Sequence, residues 1–396
     1  MQEQGISTTV SAVKHYTNRR QWPREGTQYT AERVQEDSQR RDVSLEHHEL
    51  KMLYKKALDQ LNLQEKVLDC CKRSIQSLPP VNKIPTKFSE GTREASDLIA
   101  VAPLSDTHGG EVVRLAETGG LAAYDMTIFN RRLALWVNRI LLLTDIRRSA
   151  DKVSTLYVPE LGDMISGDIH DELARTNTDA SMQITVSVAY CISQALAKLA
   201  AHFDAVEVSG VVGNHGRMTK EKTYKKGAVM NWDYLCYQLQ TLFLAKQQNI
   251  HFIIPESFWH VLEIGSWRIL TFHGGSIQSY NSIPFYGIDR AVAKFREMLY
   301  SGHQYFDDVL LGHFHTDAQI GRARGSVYIS GSMRGGDEYA MARLQAYSPP
   351  TQMLLFYHPD HGCVSKETLF LQPTDTREDL GFEMMTLDSW QHLIVN

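Results

Sequence analysis

Apolar residues recur along the chain in two rhythms. Between residues 44 and 78, Leu50, Tyr54, Ala57, Leu61, Gln64, Leu68, Cys71, Ile75 and Leu78 alternate at spacings of four and three. That is a heptad seam with one polar layer at Gln64, and it predicts a single helix stopped by Pro79-Pro80. Such a seam suits packing on the chain's own domain or pairing with a second copy, which would make a homo-oligomer. Residues 1–43 hold no sustained period and are broken by Pro23 and Gly26; a flexible arm and a small helical module both fit. Pro85 and Gly91 mark a linker up to residue 96.

From Leu98 the rhythm becomes strand, helix, strand. Short apolar runs at Leu98–Leu104, Leu156–Leu161, Ala205–Val212, His251–Ile254, Val309–Leu311 and Val327–Ser330 read as strands. Trp259–Phe272 reads as a hairpin turning at Gly265-Ser266, and Met353–Tyr357 with Val364–Leu371 as another, turning at Pro359-Asp360-His361-Gly362. Phe129, Leu133, Trp136, Ile140 and Leu141 mark one helix face, and Ile184–Leu199, Asp233–Lys246 and Ile288–Leu299 read as further helices. The pattern divides the chain into an arm at 1–43, a helix with linker at 44–96, an α/β domain at 97–372 and a tail at 373–396.

Composition narrows the function classes. Of 396 residues, 43% are apolar and 22% charged, which excludes global disorder. Lys and Arg total 41 against 46 Asp and Glu, so polyanion binding would need a local basic patch. Five cysteines, an odd number, suggest no disulfide framework and fit a reducing cytoplasm. The N-terminus lacks the apolar stretch of a signal peptide, and the apolar helical stretch Leu133–Thr144 is too short to span a bilayer, so no membrane role is expected.

Side chains able to hold a metal follow strand after strand. They are Asp106 and His108, then Gly162-Asp163, then Gly213-Asn214-His215, then His273, then Gly312-His313-Phe314-His315. Each alone is commonplace: Gly-Asp is a turn dipeptide, and Asp-x-His is weak. Successive groups lie roughly 40–60 residues apart, so no local loop unites them. Strand ends in one sheet do, because their loops share a crevice.

In that order the motifs resemble the calcineurin-like metallophosphoesterase superfamily over about residues 97–372. The resemblance implies a four-layer α/β/β/α sandwich with a two-metal site at the strand ends. It implies that Asp106, His108, Asp163 and His315 hold one ion and Asp163, Asn214, His273 and His313 the other, with Asp163 bridging and His215 facing the substrate. Imidazole, carboxylate and one amide oxygen suit manganese, iron or zinc better than calcium, with magnesium also considered. Two divalent ions against two carboxylates leave a positive site that a hydroxide and a phosphodiester anion would neutralise. The expected reaction is phosphodiester hydrolysis through a metal-bridging hydroxide.

The chain departs from two branches of the superfamily. Protein phosphatases carry Asp-Arg-Gly after the bridging Asp position and an acid after Gly-Asn-His; here stand Asp163-Met164-Ile165 and Gly216. Double-strand-break-repair nucleases resemble Ser105-Asp106-Thr107-His108-Gly109 more closely, but carry a His where this chain has Ser166 and an acid in place of Gly216. His170, Asp168 or Asp171 could stand in for the first, or could belong to a solvated loop. The Gly-Asn-His-Gly-Arg run resembles metallophosphoesterases of bacteriophages and mobile elements, often labelled as DNA-repair-type exonucleases. Arg217, Lys220, Lys222, Lys225 and Lys226 with Tyr224 form a basic apron beside the motif; nucleic-acid contact and a solvated helix start are both open readings. Arg322, Arg324 and Arg334 could extend it. Taken together, these features predict a metal-dependent nuclease acting on DNA. A phosphodiesterase or phosphatase for nucleotides or other small phosphates is the first alternative, and a non-catalytic scaffold binding partners through the N-terminal helix the second.

Overall fold

The computed structural model describes residues 48, 50–52, 54–55, 63–73, 75–84, 97–277, 284–372 and 381–385. The chain forms two compact units, residues 1–59 and 60–396. In the first, the described residues are helical, and the seam positions Leu50 and Tyr54 are exposed. The expected arm at 1–43 and linker at 85–96 lie outside the described residues.

The second unit holds eleven described strands: β1 (Asp97–Val101), β2 (Lys152–Glu160), β3 (Ala205–Gly210), β4 (Ile250–Ile253), β5 (Trp259–Ile264), β6 (Trp267–Phe272), β7 (Asp308–Leu311), β8 (Ala318–Gly321), β9 (Ser326–Ile329), β10 (Thr351–His358) and β11 (Gly362–Phe370). Its described helices are α1 (Met126–Arg148), α2 (Leu173–Thr176), α3 (Ser181–Ala200), α4 (Trp232–Phe243) and α5 (Phe285–Ser301), besides helical residues 63–73. One sheet runs β11-β10-β1-β2-β3-β4, with β1 to β4 parallel; the other runs β5-β6-β7-β9-β8.

Strand alternation builds the layers. On β10, Leu354 and Phe356 pack among Phe129, Trp136, Ile192 and Leu235 of the helices, while Met353, Leu355 and Tyr357 turn toward Ile264, Ile269, Leu310 and Tyr328 of the other sheet. A period of two sends alternate side chains into different layers. Ile288, Val292 and Leu299 of α5 cover the outer face of the second sheet on Leu270, Val309 and Val327. The result is the expected α/β/β/α sandwich.

The predicted strands and helices of this domain are present, with both hairpin turns where expected. Three elements were not expected: β8, α2 and a π-helical turn at Ala340–Leu344. Each is only four or five residues long, too short to set a period. The seam helix is a correction. Residues 75–84 are not helical, so the helix does not reach Leu78. The Leu78 amide donates to the Phe243 carbonyl at 2.8 Å, Gln247 donates to the Pro79 carbonyl at 2.9 Å, and the Ile84 amide donates to the Ala201 carbonyl at 2.9 Å. The ends of α3 and α4 thus capture this segment. Gln64 and Cys71 are buried, and Val67, Leu68, Ile75 and Leu78 pack on the same core, so this half of the seam faces its own domain. Tail residues 381–385 return to the domain as well: Phe382 exchanges two hydrogen bonds with Asn130 of α1, at 2.6 and 2.7 Å. Among the described residues no helix is long and apolar enough to cross a membrane.

Glu160 closes β2 fully buried, with one oxygen accepting from Gln240 at 3.1 Å and the other unpartnered. Burial pushes its carboxyl up to about 8. The folded state therefore keeps a proton that the unfolded chain loses near its ordinary value, and stability falls as pH rises between that value and about 8. Glu160→Gln should flatten this slope, with a gain over the parent that grows toward pH 8. Urea denaturation at several pH values reads it, and a slope equal to the parent's refutes it.

Candidate metal centre

The strand-end loops bring the predicted residues together. Asp106 and His108 follow β1, Asp163 follows β2, Asn214 and His215 follow β3, His273 follows β6, and His313 and His315 follow β7. Asp106, His108 and His315 place ligand atoms within 4.8 Å of one another, and so do Asp163, His273 and His313. His108 Nε2 lies 3.1 Å from His315 Nε2, and His315 Nε2 lies 3.2 Å from Asp106 Oδ1. His273 Nε2 lies 3.0 Å from Asp163 Oδ2 and 3.1 Å from Asn214 Oδ1. The His108 and His215 rings meet edge-on with centroids 4.7 Å apart.

The backbone makes this convergence at a cost. Asp106, His108, Asp163, His313 and His315 all have positive φ, between 46° and 71°. Non-glycine residues there are strained by about 1–3 kcal/mol each and persist only where surroundings fix them. Buried carboxylates do the fixing. Asp233 accepts from the amides of Asp163 at 2.9 Å, Met164 at 3.0 Å and Gly213 at 2.8 Å. Asp106 Oδ2 accepts from the His313 amide at 2.9 Å, and the Ser332 hydroxyl donates to the Asp106 carbonyl at 2.9 Å. Gln352 bolts the two sheets beneath the centre: its amide bonds both the N–H and C=O of Ser105, at 3.1 and 2.9 Å, and also Ser330 and Gly331.

Charge suits cations. Burial would raise Asp106 and Asp163, but His315 and His273 respectively hold them below the usual carboxylate range. Burial drives His108 well below its ordinary value, with Arg334 and His215 adding to it. Burial, then His273, takes His313 down to about 3. Neutral imidazoles present lone pairs, the form that binds metals. His273 moves the other way: despite burial, Asp163 carries it up, so cation uptake there displaces a proton. Its Nδ1 donates to the Leu161 carbonyl at 2.8 Å, which aims Nε2 inward. The donor set fits two divalent ions, one in each trio, with Asn214 completing the second.

The Asp233 carboxylate also accounts for Gly216. A Cβ there would meet Asn231 and lie 2.8 Å from Asp233 Oδ1, so an acid reaches this spot from α4 and leaves no room for one at 216. Asp233, Glu111 and Arg334 were not anticipated as parts of the centre. Asn231-Trp232-Asp233 reads as an ordinary helix cap, a role Asn231 does fill at 2.8 Å. Arg334 is no extension of a surface patch: it is 5% exposed, donates to Glu111 at 2.6 Å and reaches His315 Nδ1 at 3.1 Å. Arg322 and Arg324 pair with Asp289 and Asp307.

The apron residues lie in the loop between Arg217 and Asn231, which is closed at its neck by a bridge between those two. Lys222, Tyr224, Lys225 and Lys226 are exposed, and Lys222 Nζ approaches the Gly275 carbonyl at 3.4 Å. Lys220 pairs with Asp171, and the Arg217 Nε donates to the Asn214 carbonyl at 3.0 Å. His170 sets its ring 5.6 Å from that of His215.

No family model matches the sequence, nor does any curated protein. Among solved structures the chain is similar to zinc-complexed Vps29 from Entamoeba histolytica, with 12% identity over 69% of this chain and 99% of that one and a TM-score of 0.28. It is also similar to an archaeal phosphodiesterase, at 12% identity, 68% and 99% coverage and a TM-score of 0.31. A third is YfcE, a phosphoesterase from E. coli, at 14% identity, 68% and 99% coverage and a TM-score of 0.29.

Asp233→Ala would free three amides at once, and each unpaired buried donor costs about 1–3 kcal/mol. The variant should bind manganese at least tenfold more weakly than the parent, read by titration of the metal-free protein. Parent-like affinity would show that the strained loops hold without it.

Proposed function

We propose that this protein is a metal-dependent phosphoesterase that hydrolyses phosphodiester bonds in nucleic acid, DNA above all. Two divalent ions would be held by Asp106, His108, Asp163, Asn214, His273, His313 and His315, with Asp163 shared between them. Manganese heads the candidates, ahead of iron, zinc and magnesium. The observation that carries this reading is the meeting of six side chains in two trios of carboxylate and imidazole, with Asn214 Oδ1 3.1 Å from His273 Nε2. Bound there, such ions polarise phosphate oxygens and lower the pKa of water from 15.7 toward about 7.

The chain's own residues supply the rest. The Ser166 carbonyl accepts from His215 Nδ1 at 3.0 Å, which leaves Nε2 to meet substrate. His215 delivers a proton to the leaving oxygen, a role worth about 10²–10⁴ in rate. The exposed Lys222, Lys225 and Lys226 offset neighbouring phosphates, while Tyr224 offers a base its face.

Purified protein should take up transition ions and, with manganese, degrade DNA faster than it turns over cyclic nucleotides or phosphomonoesters. The reverse preference selects the small-phosphate alternative. A sample that neither binds metal nor cleaves any P–O bond would leave only a scaffold. His215→Ala should retain metal and lose about 10²–10⁴ in kcat; near-full turnover removes its assigned role. Neutralising Lys225 and Lys226 together should weaken oligonucleotide binding by about tenfold and flatten its salt dependence, with a smaller loss on bis(p-nitrophenyl) phosphate. Equal losses on the two substrates count against the apron.

A further inference from the structure

On the side that carries His215, the centre has a second cluster that the seven candidate ligands do not use. The loop after Asp163 wraps around His215. Ser166 accepts its Nδ1–H, and Gly167, at φ 65°, leaves no space for a Cβ against the His215 carbonyl. His170 turns its ring edge-on to His215, with centroids 5.6 Å apart. The following strand-end loop adds Arg217. Its Nε is anchored on the Asn214 carbonyl, while Nη1 is buried without a hydrogen-bond partner. Asp171 and Lys220 tie the two loops by an ion pair. Tyr224, in the same loop as Arg217, is 79% exposed.

Three nitrogen-rich side chains therefore crowd one spot. Burial, then His215 and Arg217, push His170 below its ordinary value, and only Glu172 pulls it up. The one acid of the loop tie, Asp171, is engaged by Lys220. An orphaned buried donor is relieved by an oxyanion, which accepts hydrogen bonds from imidazole and guanidinium alike. An aromatic face beside an anion site is the pairing a nucleotide offers contacts to: phosphate on one, base on the other.

We propose that His170 and Arg217 form a subsite for the phosphate of the nucleotide adjoining the bond to be cut, with the exposed Tyr224 of the Arg217 loop taking its base. The proposal rests on the phosphodiesterase reading above and narrows its substrate to chains with consecutive phosphates. Because His215 stands between this cluster and the ligand trios, the subsite serves the side of the leaving oxygen.

The test compares dithymidine monophosphate with the same dinucleotide bearing an added 5′- or 3′-terminal phosphate. With manganese-loaded protein, one of the two phosphorylated forms should show kcat/KM about tenfold or more above the parent dinucleotide. His170→Ala and Arg217→Met should each bring that ratio toward one. Competition of the three dinucleotides against a labelled oligonucleotide, on metal-free protein, reads the same preference without turnover. Equal rates and equal competition across the three overturn the subsite while leaving hydrolysis itself intact. A preference that survives in both variants overturns the residue assignment. Binding preference with no hydrolysis of any diester would uphold the anion subsite and sink the enzymatic reading instead.

Discussion

The structure depends on holding charged loop backbones in a conformation they would otherwise leave. Five candidate ligands have positive φ, and a chain of L-residues enters that region only under constraint. The constraint is a set of carboxylate–amide hydrogen bonds with no water access. Asp233 gathers the loops after β2 and β3, and Asp106 gathers the loop after β7. Close backbone approach does the remainder: at Gly162, φ 92°, a Cβ would lie 2.6 Å from Gly213 Cα. Without the acids those buried amides would lose their partners, at about 1–3 kcal/mol each.

This explains why the donor set was legible in the sequence while its support was not. Asp106, His108, Asp163, Asn214, His273, His313 and His315 each stand beside an apolar strand, and strand ends in one sheet share a crevice whatever lies between them. Their residue types announce their chemistry. Asp233, Glu111 and Arg334 act through partners far along the chain: Arg334 reaches Glu111 from 223 positions away. Arg334 reads as part of a surface patch until the fold buries it against Glu111. The fold was legible for the same reason as the ligands. β10 alternates strictly between two cores, and its unbroken apolar run Met353–Tyr357 marks a strand buried on both faces. The seam helix ends before its heptads do because heptad spacing says which face is apolar, not where a neighbouring helix end will capture the backbone, as the Phe243 carbonyl captures Leu78.

Parallel strands have two ends, and the chain uses them differently. β3 begins just after α3 ends, so Ala201, Asp204 and Phe243 mark the end of the sheet opposite Asn214 and His215. Residues 75–84 bond there, through Leu78 to Phe243, Ile84 to Ala201 and Lys83 to Asp204. The segment that joins residues 63–73 to the domain is thereby anchored on the face remote from the carboxylate–imidazole trios. It contributes apolar packing at Val67, Leu68, Ile75 and Leu78, and no ligand. The opposite face keeps its loops uncovered by that segment, and Lys222, Tyr224, Lys225 and Lys226 are among the residues exposed there. A chain with net charge −5 thus carries Lys222, Lys225 and Lys226 in the loop that Arg217 and Asn231 close next to Asn214. Local field, not overall charge, decides what such a cleft attracts.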